Sequence, residues 1–157
     1  MRGLERAVLD RADGPLVVLA VHLCGTLSLR ALDLFIGRKD VGLLVLKPCC
    51  LPPAIHAQRG DVFEVGGHAF DATDVASRGK FRGDEWIGPA RSTLKPKFES
   101  WASHLYAGAA ADTKRLETAT VQTAGGFQNL YVYAERGPPT TALWAGIRAR
   151  RPGRMPA

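Results

Sequence analysis

Two short runs hold the side chains of this sequence best suited to chemistry: His22, Leu23, Cys24 and Gly25 in the first, Lys47, Cys49 and Cys50 in the second. Three thiols and an imidazole are the donor types of a structural zinc site. The Cys-x2-Cys spacing of such sites is missing, however, and adjacent cysteines make awkward tetrahedral partners, so no metal is expected from the spacing. A cysteine hydrolase needs a base, an orienting acid and an oxyanion loop around its thiol, and no such arrangement is readable here. An odd set of cysteines, two of them adjacent, is a poor disulfide framework. It points to a reducing, intracellular compartment: cytoplasm, nucleus or organelle. Cysteine also serves as a small buried hydrophobe and histidine as a hydrogen-bonded structural residue, so their place in the fold has to decide between roles.

The elements around these runs supply that place. Leu16 to Val21 is unbroken apolar and rich in β-branched residues, the pattern of a central parallel strand covered on both faces. Leu27, Ala31, Leu32 and Phe35 then recur at helical spacing from Thr26 as far as Gly37, a natural stop. Val41 to Leu46 is a second apolar run of strand length, closed by Lys47-Pro48-Cys49-Cys50-Leu51-Pro52-Pro53. Strand, helix, strand with short joints predicts a right-handed βαβ unit. Ligands of open α/β sheets bind beyond the C-terminal ends of the parallel strands. Neighbouring strands lie about 4.8 Å apart, so the two reactive runs are expected side by side.

The remainder is a mixed pattern. Arg2 to Ala12 predicts a short helix stopped by Asp13-Gly14-Pro15. Ala54 to Arg91 is rich in glycine and charge and predicts a long loop with one short extended piece around Asp61 to Val65. Ser92 to Ala111 predicts a helix with Leu94, Phe98, Trp101 and Leu105 in one stripe, Pro96 being tolerated within its first turns. Leu116 to Thr123 and Phe127 to Glu135 flank Gly125-Gly126 and predict an antiparallel hairpin that joins the sheet beyond the Val41 strand. Parallel strands ending in a hairpin make an α/β fold.

At 157 residues the chain is long enough for one domain with a real core, and 46% hydrophobic against 23% charged residues excludes a disordered polymer. No apolar run approaches the roughly 20 residues of a membrane span, and Met1 to Gly14 is too charged for a secretory leader. The formal charge of +6 is uneven: from Gly137 onward there are four arginines (Arg148, Arg150, Arg151, Arg154) and no acid. Residues 1–136 therefore form the folded part, and 137–157 a basic, irregular tail that either touches RNA or an acidic partner or is simply a solvated terminus.

Val21-His22-Leu23-Cys24-Gly25, a helix, and then Lys47-Pro48-Cys49-Cys50 resembles a methyltransferase family that contains tRNA ribose methyltransferases. Its members carry His-Leu-Cys-Gly or His-Ala-Cys-Gly after the fourth strand and a Cys-Cys pair after the fifth. The likeness spans Pro15 to Pro53, and the predicted hairpin resembles the final two strands of class I methyltransferases. The resemblance implies the C-terminal half of a Rossmann-like sheet, S-adenosylmethionine (SAM) as cofactor and RNA as acceptor. It implies that Leu23, Cys24 and Gly25 line the cofactor, with Gly25 allowing close backbone approach. It further implies that His22 orients or deprotonates an acceptor hydroxyl, that Lys47 offsets negative charge, and that Cys49 and Cys50 face the substrate.

The sequence departs from the family where SAM is gripped. Nothing before Pro15 supplies the glycine-rich loop after a first strand or the acid ending a second, and neither Gly66-Gly67 nor Gly125-Gly126 lies between a strand and a helix. SAM binding is thus expected only with a missing half present. The Leu16 to Val21 edge is expected to be apolar and to need a protein partner or a preceding segment. The alternative is a catalytically inactive structural subunit of a large RNA–protein or other assembly.

Overall fold

The computed structural model describes residues 9–11, 16–58, 60–119 and 128–137. Strand β1 (Leu16–Cys24), helix α1 (Leu27–Gly37) and strand β2 (Val41–Cys50) follow one another as a βαβ unit. β1 and β2 are parallel neighbours, with Val18 opposite Leu44 and Ala20 opposite Leu46. Both strands outrun their apolar stretches, so all three cysteines are strand residues rather than loop residues.

The segment read as a long loop is more ordered than expected. It holds two antiparallel ribbons, β3 (Val62–Val65) with β4 (His68–Asp71) and β5 (Lys80–Arg82) with β6 (Glu85–Ile87), separated by a single helical turn α2 (Ala72–Val75). Gly66 and Gly67 are the two-residue turn between β3 and β4, both at positive φ (58° and 77°). That is the backbone a tight hairpin demands, and few residues other than glycine adopt it twice in succession. Strands of three or four residues carry too little alternation to be read from sequence.

Helix α3 (Arg91–Gly108) follows, then β7 (Thr113–Thr118) and β8 (Leu130–Glu135). The last two pair antiparallel, and the four-stranded sheet has the order β1-β2-β8-β7. β8 runs against β2 and lies between it and β7, with Val45 opposite Tyr133 and Leu46 opposite Val132. The two strands therefore pair and join the sheet beyond β2 as expected, the first beginning at Thr113 rather than Leu116, while the predicted turn at Gly125-Gly126 lies with residues 120–127 outside the described residues. So do most of the predicted N-terminal helix, of which Leu9–Arg11 is one 3-10 turn, and residues 138–157 of the predicted tail.

One face of the sheet is the core. Val18, Ala20, Leu44, Leu46, Val132 and Ala134 meet Leu32 and Phe35 of α1 and Trp101 and Leu105 of α3. The predicted stripe of α3 is buried throughout: Leu94, Phe98, Trp101 and Leu105. Each such side chain contributes about 1.5–3 kcal/mol on leaving water. Arg136, just past β8, ties the sheet to the end of α1. Its guanidinium donates to the carbonyls of Phe35 (2.6 Å) and Arg38 (2.9 Å) and lies 4.1 Å from the Phe35 ring centre.

The other face corrects an expectation. The unbroken apolar run predicts cover on both sides of β1, yet Val17, Leu19 and Val21 are 43%, 71% and 47% exposed. Both α1 and α3 pack on the opposite side, so β1 alternates between covered and open residues. Among the described residues it is also the edge strand of the sheet.

Candidate functional site

The β1–β2 ends bring the two reactive runs together, and the backbone there is irregular. The parallel register slips on either side of Leu23: Val21 pairs with Lys47, Leu23 with Pro48 and Cys24 with Cys50. His22 has no strand partner and takes φ +61°, the one described non-glycine residue at positive φ. Bulges and left-handed non-glycine residues cost about 1–3 kcal/mol and concentrate where a site re-aims a side chain. The His22 side chain is exposed.

The second slip explains the cysteines. On a regular strand Cys49 and Cys50 would point to opposite faces. Here Cys50 pairs with Cys24 and Cys49 is the extra residue of the slip, so a bulge stands where the regular alternation would part the two thiols. The Cys24 Sγ lies 3.1 Å from that of Cys49 and 3.5 Å from that of Cys50, and the last two are 3.6 Å apart. All three are free cysteines, Cys24 and Cys50 exposed and Cys49 half-buried. Burial, and then the hydrogen bond with Cys24, pushes the Cys49 thiol well above the ordinary cysteine range. The same two causes raise Cys50.

Gly25 closes the site from below. It is buried at φ +53°, and its N–H donates to the Cys50 carbonyl at 3.2 Å. A Cβ there would stand 3.2 Å from Pro53 Cδ and 3.4 Å from Pro52 Cα. The close approach this glycine allows is thus made by the chain's own prolines. Pro52 and Ala54 are held in turn by Ser77, whose N–H donates to the Pro52 carbonyl and whose carbonyl accepts from Ala54, each at 2.9 Å. Leu23 is half-buried and accepts from the Ser28 hydroxyl at 3.4 Å.

Lys47 stands on the open face in register with Val21, its Nζ 5.9 Å from the centre of the Tyr131 ring on β8. His22, Leu23, Cys24, Gly25, Lys47, Cys49 and Cys50 therefore share one end of one strand pair. The cysteines touch; His22 and Lys47 are neighbours by strand position.

Two further features had no signal in the sequence. His68 on β4 and His104 on α3 are hydrogen-bonded through Nε2 and Nδ1 at 2.9 Å, and the His104 ring lies flat on Phe70 at 4.1 Å. Burial, and then the neighbouring His68, lowers the pKa of His104, with Asp74 opposing. A cavity of about 720 Å³ lies apart from the cysteines, lined by residues that include Ser77, Arg78, Thr93 and Lys97. The Lys97 ammonium there donates to the carbonyls of Thr73 and Ala76 at 2.8 and 3.0 Å. Each pair joins residues far apart in the chain, so only the fold creates it.

Comparison with protein-family models, curated proteins and solved structures finds no match to this chain. Among the described residues no helix is long and apolar enough to cross a membrane.

Proposed function

We propose that this chain is the substrate-facing half of a SAM-dependent methyltransferase-type domain acting on RNA. The observation that carries the reading is the juxtaposition of His22–Gly25 and Lys47–Cys50 at the C-terminal ends of two parallel strands, where open α/β sheets bind ligands. The inward place of β8, reversed between β2 and β7, agrees with the resemblance of this hairpin to the last strands of class I methyltransferases. RNA is the favoured acceptor because of the four arginines after residue 147, which lie outside the described residues.

The described residues by themselves do not fit SAM. Gly66-Gly67 is a hairpin turn, the Gly25 cleft is filled by Pro52 and Pro53, and no glycine-rich turn joins a strand to a helix among them. The proposal therefore assigns the cofactor grip to a partner chain or preceding segment lying beside β1, over Val17, Leu19 and Val21. Leu23 and Cys24 would then form the rim of the cofactor place, with Gly25 seating Pro52 and Pro53 behind them rather than touching the cofactor, and Cys49 and Cys50 would face the substrate. His22 would orient or deprotonate an acceptor hydroxyl, and Lys47 would offset developing negative charge. The open apolar strip also favours a second reading, a structural subunit of a larger assembly without catalysis.

Calorimetric titration with SAM, on this chain alone and with whatever co-purifies with it, separates these readings. Alone, the chain is expected to associate or precipitate and to give no heat with SAM; with its partner it is expected to bind. Micromolar SAM binding by a monomer would overturn the division of labour, and a partnered complex without SAM affinity would overturn the methyltransferase reading.

A further inference from the structure

The three cysteine sulfurs form a triangle with sides of 3.1, 3.5 and 3.6 Å. Thiolates about 2.3 Å from one cation stand about 4.0 Å apart in a trigonal plane and about 3.8 Å apart in a tetrahedron. For the trigonal plane the triangle has to open by about 0.4–0.9 Å a side, most between Cys24 and Cys49, within the reach of side-chain rotation. Spacing alone argues against a shared ion, because adjacent cysteines on a regular strand diverge. The bulge at Cys49, beside the Cys24–Cys50 pair, removes that objection, since all three sulfurs meet.

The donor set selects the ion. Among the described residues the group is three sulfurs, with no imidazole or carboxylate within it. Hard cations take oxygen ligands, and structural zinc sites close with four donors. Soft thiolate sets take Cu(I), zinc or iron–sulfur clusters, and of these Cu(I) is the one whose shell three sulfurs alone complete. Exposure of Cys24 and Cys50 gives an ion a path from solvent.

We propose that Cys24, Cys49 and Cys50 bind one Cu(I) ion in three-coordinate, all-sulfur geometry. Three thiols each release a proton to solvent as three Cu–S bonds form, and the oxidation state of copper and sulfur is unchanged. The site does not depend on methyl transfer, since its ligands and their geometry are complete within this chain.

The test is an anaerobic titration of the reduced 157-residue chain with Cu(I) against a colorimetric Cu(I) chelator. X-ray absorption on the loaded protein is run alongside, with Zn(II) and SAM titrated in parallel. One equivalent of Cu(I) with sulfur neighbours only is the expected result. Cys24→Ser is expected to weaken binding by more than the roughly 100-fold that loss of a group merely supporting a ligand costs. No uptake against the chelator, uptake unchanged in Cys24→Ser, or nitrogen or oxygen in the copper shell would each overturn the proposal. Stoichiometric zinc without Cu(I) uptake would overturn it too, in favour of a four-coordinate site. The absorption data come from the native chain, so a misfolded variant leaves the proposal open to refutation. The SAM arm reads the methyltransferase proposal separately.

Discussion

Gly25→Ala is expected to destabilise the chain by about 3 kcal/mol, and the parts of that figure are separable. An L-residue held in the left-handed region costs about 1–2 kcal/mol. Alanine recovers about 0.4–1 kcal/mol by restricting the unfolded chain. The added methyl stands 3.2 Å from Pro53 Cδ and 3.4 Å from Pro52 Cα, at a position that is buried. Those prolines have little room to yield, because Ser77 holds the flanking backbone with two hydrogen bonds of 2.9 Å. Overpacking of this kind costs about 1–3 kcal/mol. For a chain of this size, 3 kcal/mol corresponds to a fall of roughly 6–12 °C in Tm. Gly67→Ala is the control: its φ of +77° carries the conformational cost, but nothing lies within 4 Å of the new methyl. It is expected to lose only about 1 kcal/mol. Urea denaturation of both variants measures the difference. Displacing Pro52 and Pro53 also strains the Gly25–Cys50 hydrogen bond, so the thiols should react faster with a disulfide reagent in Gly25→Ala than in Gly67→Ala. Equal losses in the two variants would refute the claim that Pro52 and Pro53 fill the cleft at Gly25.

Leu19→Lys, at a side chain 71% exposed, should leave Tm nearly unchanged, within about 0.5 kcal/mol. If β1 is covered in the assembled protein, the same change weakens association roughly 10-fold by removing about 1.5 kcal/mol of burial; an unchanged sedimentation profile across concentration would remove this strip from any interface. Stability should fall as pH drops below about 6.5, the ordinary histidine value, because burial beside His68 depresses the folded pKa of His104 and the unfolded chain takes up the proton first. Thermal melts from pH 7.5 to 5 check the sign, and His104→Phe, which keeps the stack on Phe70, should flatten the slope. Arg136→Met should cost about 2–3 kcal/mol in denaturant unfolding, since it strips the cation from the carbonyls of Phe35 and Arg38 at the end of α1.

The sequence alone determined which segments are strands and helices wherever burial imposes a long period. The apolar runs beginning at Leu16 and Val41, the helical spacing from Leu27 to Phe35 and the Leu94–Leu105 stripe are local patterns, and the parallel pair, α1 and α3 followed from them. The antiparallel pairing of the last two strands was legible from two β-rich runs around a glycine pair, although the first strand begins at Thr113, three residues before the expected Leu116. The short ribbons β3–β4 and β5–β6 were not, because three or four residues are too few to declare a period. Tertiary structure alone decided which face of β1 is covered: an unbroken apolar run is the same whether helices pack on both sides or, as among the described residues, on one. The sequence already places the three cysteines at neighbouring strand ends. How closely the thiols meet was decided by the register slip of β1 against β2, a property of two paired strands rather than of either one, beside which both Cys49 and Cys50 lie against Cys24.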